Sequence, residues 1–439
     1  MRAIPQRGSA YGFSKPASGG GGAFPVGTPF ELIADGAWTW CDTIINSVER
    51  SGALYTQVVD SAGTNFIHKH DLSTASASSF QLSTTGLEVD DHNAGSLLFD
   101  SSNRIISFYG MHNDPVFRSK RSTAPLSIAG FTGESQRGTG SGPYAYPHIF
   151  RFSQVPLRTY FLCRRWIDGS GTTRRLALRT SDTLDSLSDA NWPGTNTWSA
   201  VTDLWSVTGF IPYWQYVNDG VNKIHIVAID KHPVQGQNSL YHWYGQLDGS
   251  NNLQWFKSDG TSIGASLPFG PSDVTLIYDG SAERCWAYDL AIGADGHPRV
   301  LYCVYPGNTS HGAPIEYWYA RWTGSAWVST FITMDGPGLY IPEIYYAGGL
   351  CFDARDPDTI YLSAPISGVR QIQEWSTSDN GASWSKVQDI TSGGTAGTPL
   401  KFRPYSPRNY TPGVGPRVIW LDGRYTTFTD YDLRVMALV

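Results

Sequence analysis

From about Phe30 to the last residue, short apolar or alternating runs recur with turn signals between them, and this repetition constrains the fold more than any other property of the chain. ALYTQVVD, SLLFD, RIISFYG, TYFLCRRW, KIHIVAID, RVLYCVY, IEYWYARW, TIYLSAP and RVIWLDG are all of strand length. The links carry DGSG, LDGSNN, SDGTS, GADGHP and SDNGAS, the chemistry of hairpin turns. Runs of Ala, Glu, Lys and Leu at helical period are missing, whereas 47 Gly and 26 Pro supply turns, so the chain reads as all-β. Many strands joined by short hairpins leave a sandwich, a barrel or a β-propeller, and a length of 439 residues favours the propeller. At roughly 55 to 60 residues per four-stranded antiparallel blade, about seven blades are expected. Thr377 to Trp384, TSDNGASW, fits the Asp-box turn Ser/Thr-x-Asp-x-Gly-x-x-Trp, and Tyr319 to Trp327 forms a second hairpin signature. The expected organisation is a Gly/Ser/Pro-rich N-terminal linker over 1–29 and a single catalytic propeller over 30–439.

Charge and cysteines exclude several classes. A formal charge of −6 gives no basic field for nucleic acid, and no apolar run is long enough for a membrane helix. Cys41, Cys163, Cys285, Cys303 and Cys351 are odd in number, lack CxxC spacing and sit mostly in strand-like runs, so buried free thiols are expected. The first residues have no apolar h-region and therefore no signal peptide. They read as a linker from an upstream tail or surface-attachment module.

Chemistry concentrates in VDDHNAGSLLFDSSNRIISFYGMHNDP, Val89 to Pro115. Two strands joined by the turn DSSNR are antiparallel, so His92 before the first and His112 after the second belong to one edge of the sheet. Asp90, Asp91, Asn93, Asn113 and Asp114 flank them and can set tautomer and orientation. By the same argument Tyr146, before one strand, and Arg164, at the end of the next, share an edge. Histidine and tyrosine near one carbon supply base and acid, and arginine holds a carboxylate. Such a set suits β-elimination on a uronic-acid sugar, where an enolate must be stabilised. Polar loop residues beside a sheet, a packed aromatic and a surface cation explain the same positions without chemistry.

Two other constellations compete. Asp90, Asp91, Asp114, Asp289 and Glu343 are candidates for a hydrolytic carboxylate pair. His232, Asp289, Cys303 and His311 are candidate metal ligands without compact spacing. No Gly-rich phosphate loop, GxSxG elbow or HExxH is present. The aromatics of WSVTGFIPYWQY and YHWY suit sugar stacking, although blade packing consumes aromatics too.

The stretches DDHNAGSLLFDSSNRIISFYGMHND, YAYPHIFRF with CRRW, IPYWQYVNDGVNKIHIVAID, and GGLCFDARDPDTIYLSAP with its Asp-box resemble the BNR-repeat propeller polysaccharide lyases, a group that includes seven-bladed ulvan lyases and rhamnose-glucuronate lyases. The resemblance implies that His92 and His112 lie at the catalytic centre, that Tyr146 acts with one of them in proton transfer, and that Arg164 neutralises the uronate carboxylate. His92 or Tyr146 would take the C5 proton, and His112 or Tyr146 would serve the leaving O4. Tyr213, Asn93, Asn113 and Arg165 would contact substrate, and the tandem arginines could exchange roles. No cofactor is required for that chemistry, and no metal-ligand set carries over, which leaves room only for a structural calcium or zinc ion. The implied partner is an acidic polysaccharide, ulvan-like or capsular, met outside the cell by a secreted or phage-associated enzyme. A sialidase-like propeller hydrolase and a non-catalytic glycan-binding propeller are the alternatives.

Overall fold

The computed structural model describes residues 23–39, 46–83, 87–110, 112, 115–138, 143–167, 173–192, 198–307, 313–339, 344–395 and 400–439. Their strands form seven antiparallel sheets in chain order around a ring, a seven-bladed β-propeller with almost no helix. Six sheets have four strands, and the fourth blade adds a fifth, Thr275–Tyr278, which pairs with Leu240–Leu247. No described helix is long and apolar enough to cross a membrane.

The hairpins form because their turn residues satisfy the backbone locally. In the turn DSSNR, Asp100 Oδ1 accepts from the amides of Ser102 and Arg104, while Asn103 takes the left-handed conformation at φ 60°. Asp60, Asp219 and Asp248 repeat the device at other hairpins. An aspartate here caps two or three amides that the strands cannot reach. The Asp-box works the same way: Asp379 Oδ1 accepts from Ser383 N at 2.9 Å and from the Thr377 hydroxyl at 2.7 Å. Gly381 in this turn has φ +83°, and a Cβ there would lie 2.1 Å from the Tyr319 ring, so only glycine fits. Trp384 then packs edge-on against the same tyrosine, centroids 5.2 Å apart.

The ring closes through pairing of the two ends of the chain. Phe30–Ile33 is the outermost strand of the last blade, hydrogen-bonded to Asp430–Leu438, which continues through Val418–Thr427 to the innermost Leu400–Tyr405. The inner edge of that blade meets the first one where Glu49 N donates to Arg408 O and Arg408 N to Ser47 O. Residues 1–22 of the expected linker lie outside the described residues, whereas Phe24 is buried and stacks on Phe30. Apolar faces of successive blades merge into one large core. Trp205, Trp214 and Trp243 are fully buried in it, so these members of the two aromatic stretches are packing residues and not sugar platforms. Cys163, Cys285, Cys303 and Cys351 are buried free thiols, and Cys41 lies outside the described residues.

Candidate active site

Inner strands of several blades begin at one mouth of the central channel, and a ladder of alternating charge crosses it. Asp90 starts the ladder. Its extended backbone lets its carboxylate cap the single 3-10 turn Asp91–Asn93 through His92 N. Gly95 lets the chain leave this turn against the neighbouring strand, because a Cβ there would overlap Phe108 O at 1.9 Å. The hairpin Ser96–Phe99 to Ile105–Gly110 then returns the chain to the same edge. His112 N donates to Asn93 Oδ1 at 2.9 Å, which locks the end of one strand to the start of the other.

The two imidazoles stack with centroids 4.1 Å apart and planes 4° from parallel. Both Nδ1 atoms face Asp90, His92 at 2.5 Å from Oδ1 and His112 at 3.1 Å from Oδ2. His92 Nδ1 also lies 3.0 Å from Asp91 Oδ1. Asp91 Oδ2 in turn accepts from Arg403 Nη1 at 2.6 Å and from the Tyr425 hydroxyl at 2.9 Å. On the other side, Arg164 Nη2 lies 3.3 Å from His112 Nε2. The Arg164 guanidinium stacks on Tyr146 and Tyr213, 4.4 and 4.7 Å from their ring centroids. Phe428, from the turn of the last hairpin, sets its ring edge-on to both histidines, and its carbonyl accepts from Asp91 N.

Protonation follows from this order. Burial disfavours charge on His92, but Asp90 and Asp91 outweigh it and hold the imidazole protonated well above its ordinary range. Burial would raise Asp91, yet Arg403 and His92 keep its carboxyl below the usual carboxylate range; Asp90 is held down against burial by His92 and His112. His112 is pushed down to about 4 by burial, with the charges of His92 and Arg164 adding to it. At neutral pH the ladder therefore reads Arg403 cation, Asp91 anion, His92 cation, Asp90 anion, His112 neutral, Arg164 cation. The excess positive charge falls on Arg164. With Nδ1 of His112 donating to Asp90, its Nε2 carries the lone pair, which faces Arg164 Nη2. His112 is the more accessible ring, its side chain 16% exposed against 2% for His92, while Tyr146 and Arg164 are fully buried.

Tyr146 sits at a β-bulge with φ 59°, followed by Pro147, in the innermost strand Tyr144–Arg151. Arg403 repeats the feature in Leu400–Tyr405, with φ 51° and Pro404 next. Left-handed backbone at a bulky residue is strained and persists where surroundings over-determine it. Here it turns both side chains into the ladder.

The structure thus brings His92, His112, Tyr146, Arg164 and Tyr213 together. Arg165 points to the opposite face of its strand, as alternation requires, and its guanidinium is held by Asp203 at 2.6 and 2.7 Å. Asn93 is buried, with both ends of its amide used by His112 N and Glu88 O, so it positions the backbone instead of facing the opening. Asn113, Asp114, His311 and Glu343 lie outside the described residues. Asp289 accepts from Leu290 N and Phe352 N and ties two blades together. His232 caps a turn by accepting from Val234 N. Asp90, His92 and His112 are the group of metal-capable side chains that lies together among the described residues, their ligand atoms within 4.8 Å of one another. A metal ligand must be deprotonated, so an ion bound there would have to displace the proton that Asp90 and Asp91 favour on His92. Arg403, Tyr425 and Phe428 complete the site from the far end of the chain, and none of the three is singled out by the sequence reading.

A family model described as "BNR repeat-containing family member" matches residues 53–334. No curated protein sequence matches the chain. Among solved structures, a PL25 ulvan lyase bound to -[GlcA(1-4)Rha3S]- superposes with a TM-score of 0.68 at 13% identity, covering 93% of this chain and 95% of that one. The polysaccharide lyase Uly1 gives a TM-score of 0.56 at 13% identity over 90% and 89% of the two chains. At such identity the likeness is one of fold.

Proposed function

The chain belongs to the BNR repeat-containing family, and from that premise we propose that it is a polysaccharide lyase that cleaves a uronic-acid-containing glycan by β-elimination. The observation that carries this reading is the contact of a neutral, partly exposed His112 with a buried Arg164 at 3.3 Å, base beside carboxylate receptor. The uronate carboxylate enters between them and takes the arginine in place of His112 Nε2. His112 Nε2 then accepts the C5 proton while the developing enediolate charge is matched by Arg164. The C4–O4 bond breaks, C4 and C5 become doubly bonded, and the Tyr146 phenol gives its proton to O4. The proton on His112 returns to the phenolate through solvent. His92 is too buried and too firmly protonated for the base; it keeps Asp90 ionised and His112 oriented.

The substrate class is argued from the single excess cation at Arg164 and from the -[GlcA(1-4)Rha3S]- ligand of the structural neighbour. Such polymers lie outside the cell, where we place the reaction. No metal enters it: a chelator in the assay is expected to leave the rate unchanged, and a chelator-sensitive rate restored by zinc or calcium would assign the Asp90, His92 and His112 set to a metal. The direct test is incubation with ulvan, glucuronan, alginate, hyaluronan and capsular polysaccharides while ultraviolet absorbance of the conjugated unsaturated uronate is followed. A rise with one polymer names the substrate. New reducing ends without that absorbance would make the protein a hydrolase, and binding without product would make it a glycan receptor.

A further inference from the structure

The opposite mouth of the channel carries a second cluster that the proposed reaction leaves unused. Tyr146 and Arg151 lie on one inner strand, so the two mouths are roughly 15 Å apart along it. Two cavities of about 310 and 320 Å³ open on this far side and share Val217, Asn218 and Arg408. Either is large enough for a sugar unit.

Their charges differ. The second cavity is lined by Asp219, Asp289 and Asp353. The first is lined by Arg50, Arg151 and Arg408 over a floor that includes Leu98, Phe99 and Val217. Arg151 is neutralised by Asp185, which it meets at 2.5 and 2.9 Å. Arg50 is not: it donates both contacts to the neutral Asn103 Oδ1 and lies 5.7 Å over the Phe99 ring. Arg408 is fixed through its backbone to Ser47 and Glu49, and its side chain lies beside the Tyr405 phenol. Asp289, the carboxylate that acts on it, already accepts from two amides. Arg50, which has no ion-pair partner among the described residues, and Arg408, whose nearby carboxylate Asp289 is already engaged by two amides, face one cavity that also carries Leu98, Phe99 and Val217, and together form a receptor for an anion on a ring with an apolar face.

We propose that this cavity is a second saccharide site, taking the carboxylate or sulfate of an acidic sugar on Arg408 and Arg50 with the ring face on Phe99. The anion site stands on its own geometry; the choice of an acidic sugar rests on the proposed lyase function. A polymer held at the rear face stays near the reactive mouth, which raises its effective concentration there.

The test is calorimetric titration of the full chain carrying His112→Ala with a glucuronan hexasaccharide. Two hexasaccharides per chain are expected, falling to one when Arg408→Gln is added and remaining two with Arg408→Lys. Arg50→Gln, on an exposed side chain, is expected to weaken the same class of site should Arg408→Gln fail to fold. Arg408→Gln alone is expected to raise the half-saturating concentration of long polymer several-fold while leaving turnover of a short oligosaccharide unchanged. Two sites that survive both substitutions, one site that survives them, or no binding would overturn the proposal. One site that is lost with Arg408 would support it and count instead against the reading of the opposite mouth.

Discussion

His112 and His92 are stacked rings on one carboxylate, yet their surroundings drive their protonation apart. Pairs of titratable groups pushed in opposite directions are a mark of acid–base sites. In the proposed reaction His112 is the base, so its neutral form must dominate, and burial has moved its transition to about 4. The account predicts that kcat/KM rises with pH through an acid limb near that value and is level around neutrality. A limb near the ordinary histidine value would place the base elsewhere. The two positions also differ in what their loss does to the fold. His92→Ala leaves Asp90 and Asp91 as buried anions short of a partner, a loss of about 3–5 kcal/mol in denaturant unfolding. His112→Ala is expected to cost far less stability, because the ring is partly exposed and uncharged.

At the scale of strands and turns, the chain signals most of its blades locally. Asp100, Asp219 and Asp248 stand in hairpin turns because their carboxylates satisfy amides within four residues, and such short-range bonding is legible in a sequence. The proximity of His92 and His112 is legible for the same reason, since one short hairpin fixes it. Arg403, Tyr425 and Phe428 reach the site only when the ring closes, and nothing near them in the chain announces their contact with Asp91. The tandem arginines were ambiguous because alternation says that Arg164 and Arg165 face opposite sides without saying which side is the channel. Closure depends on Phe30–Ile33, and Phe30 is 1% exposed. Phe30→Ala is expected to lower stability by about 3–5 kcal/mol, read as a reduced denaturant midpoint. An unchanged midpoint would mean that the outer strand of the last blade does not hold the ring.

Across the whole molecule, the histidines away from the ladder set the response to acid. His68 and His70 are lowered to about 4, and His225 and His232 to about 3, all chiefly by burial. Their folded values lie below the unfolded value of about 6.5, so the unfolded chain binds more protons between these limits. The stability they contribute is complete above about pH 6.5 and is lost as pH falls toward 4 to 3. His92 has the opposite sign, its contribution being complete below about 6.5 and lost only as pH rises through its elevated folded value. His242 is lowered well below its ordinary value in the same way, so the depressed groups outweigh the one raised group, and the melting temperature is expected to fall steadily from pH 6.5 to pH 4; a flat profile would contradict the burial of these rings. These neutral histidines are buried or half-buried among the blades, whereas the charged His92 stands at the channel mouth.

The central claim is that the base and carboxylate receptor at that mouth break a glycosidic link without water, and the mass of the products tests it most directly. Elimination gives fragments whose masses sum to that of the substrate, the one with the new non-reducing end lighter by one water than its hydrolytic counterpart. The account predicts that deficit in every new non-reducing end, with a rate that falls about 100- to 10,000-fold in His112→Ala. Fragments whose masses sum to that of the substrate plus one water, or a rate undiminished in His112→Ala, would contradict it.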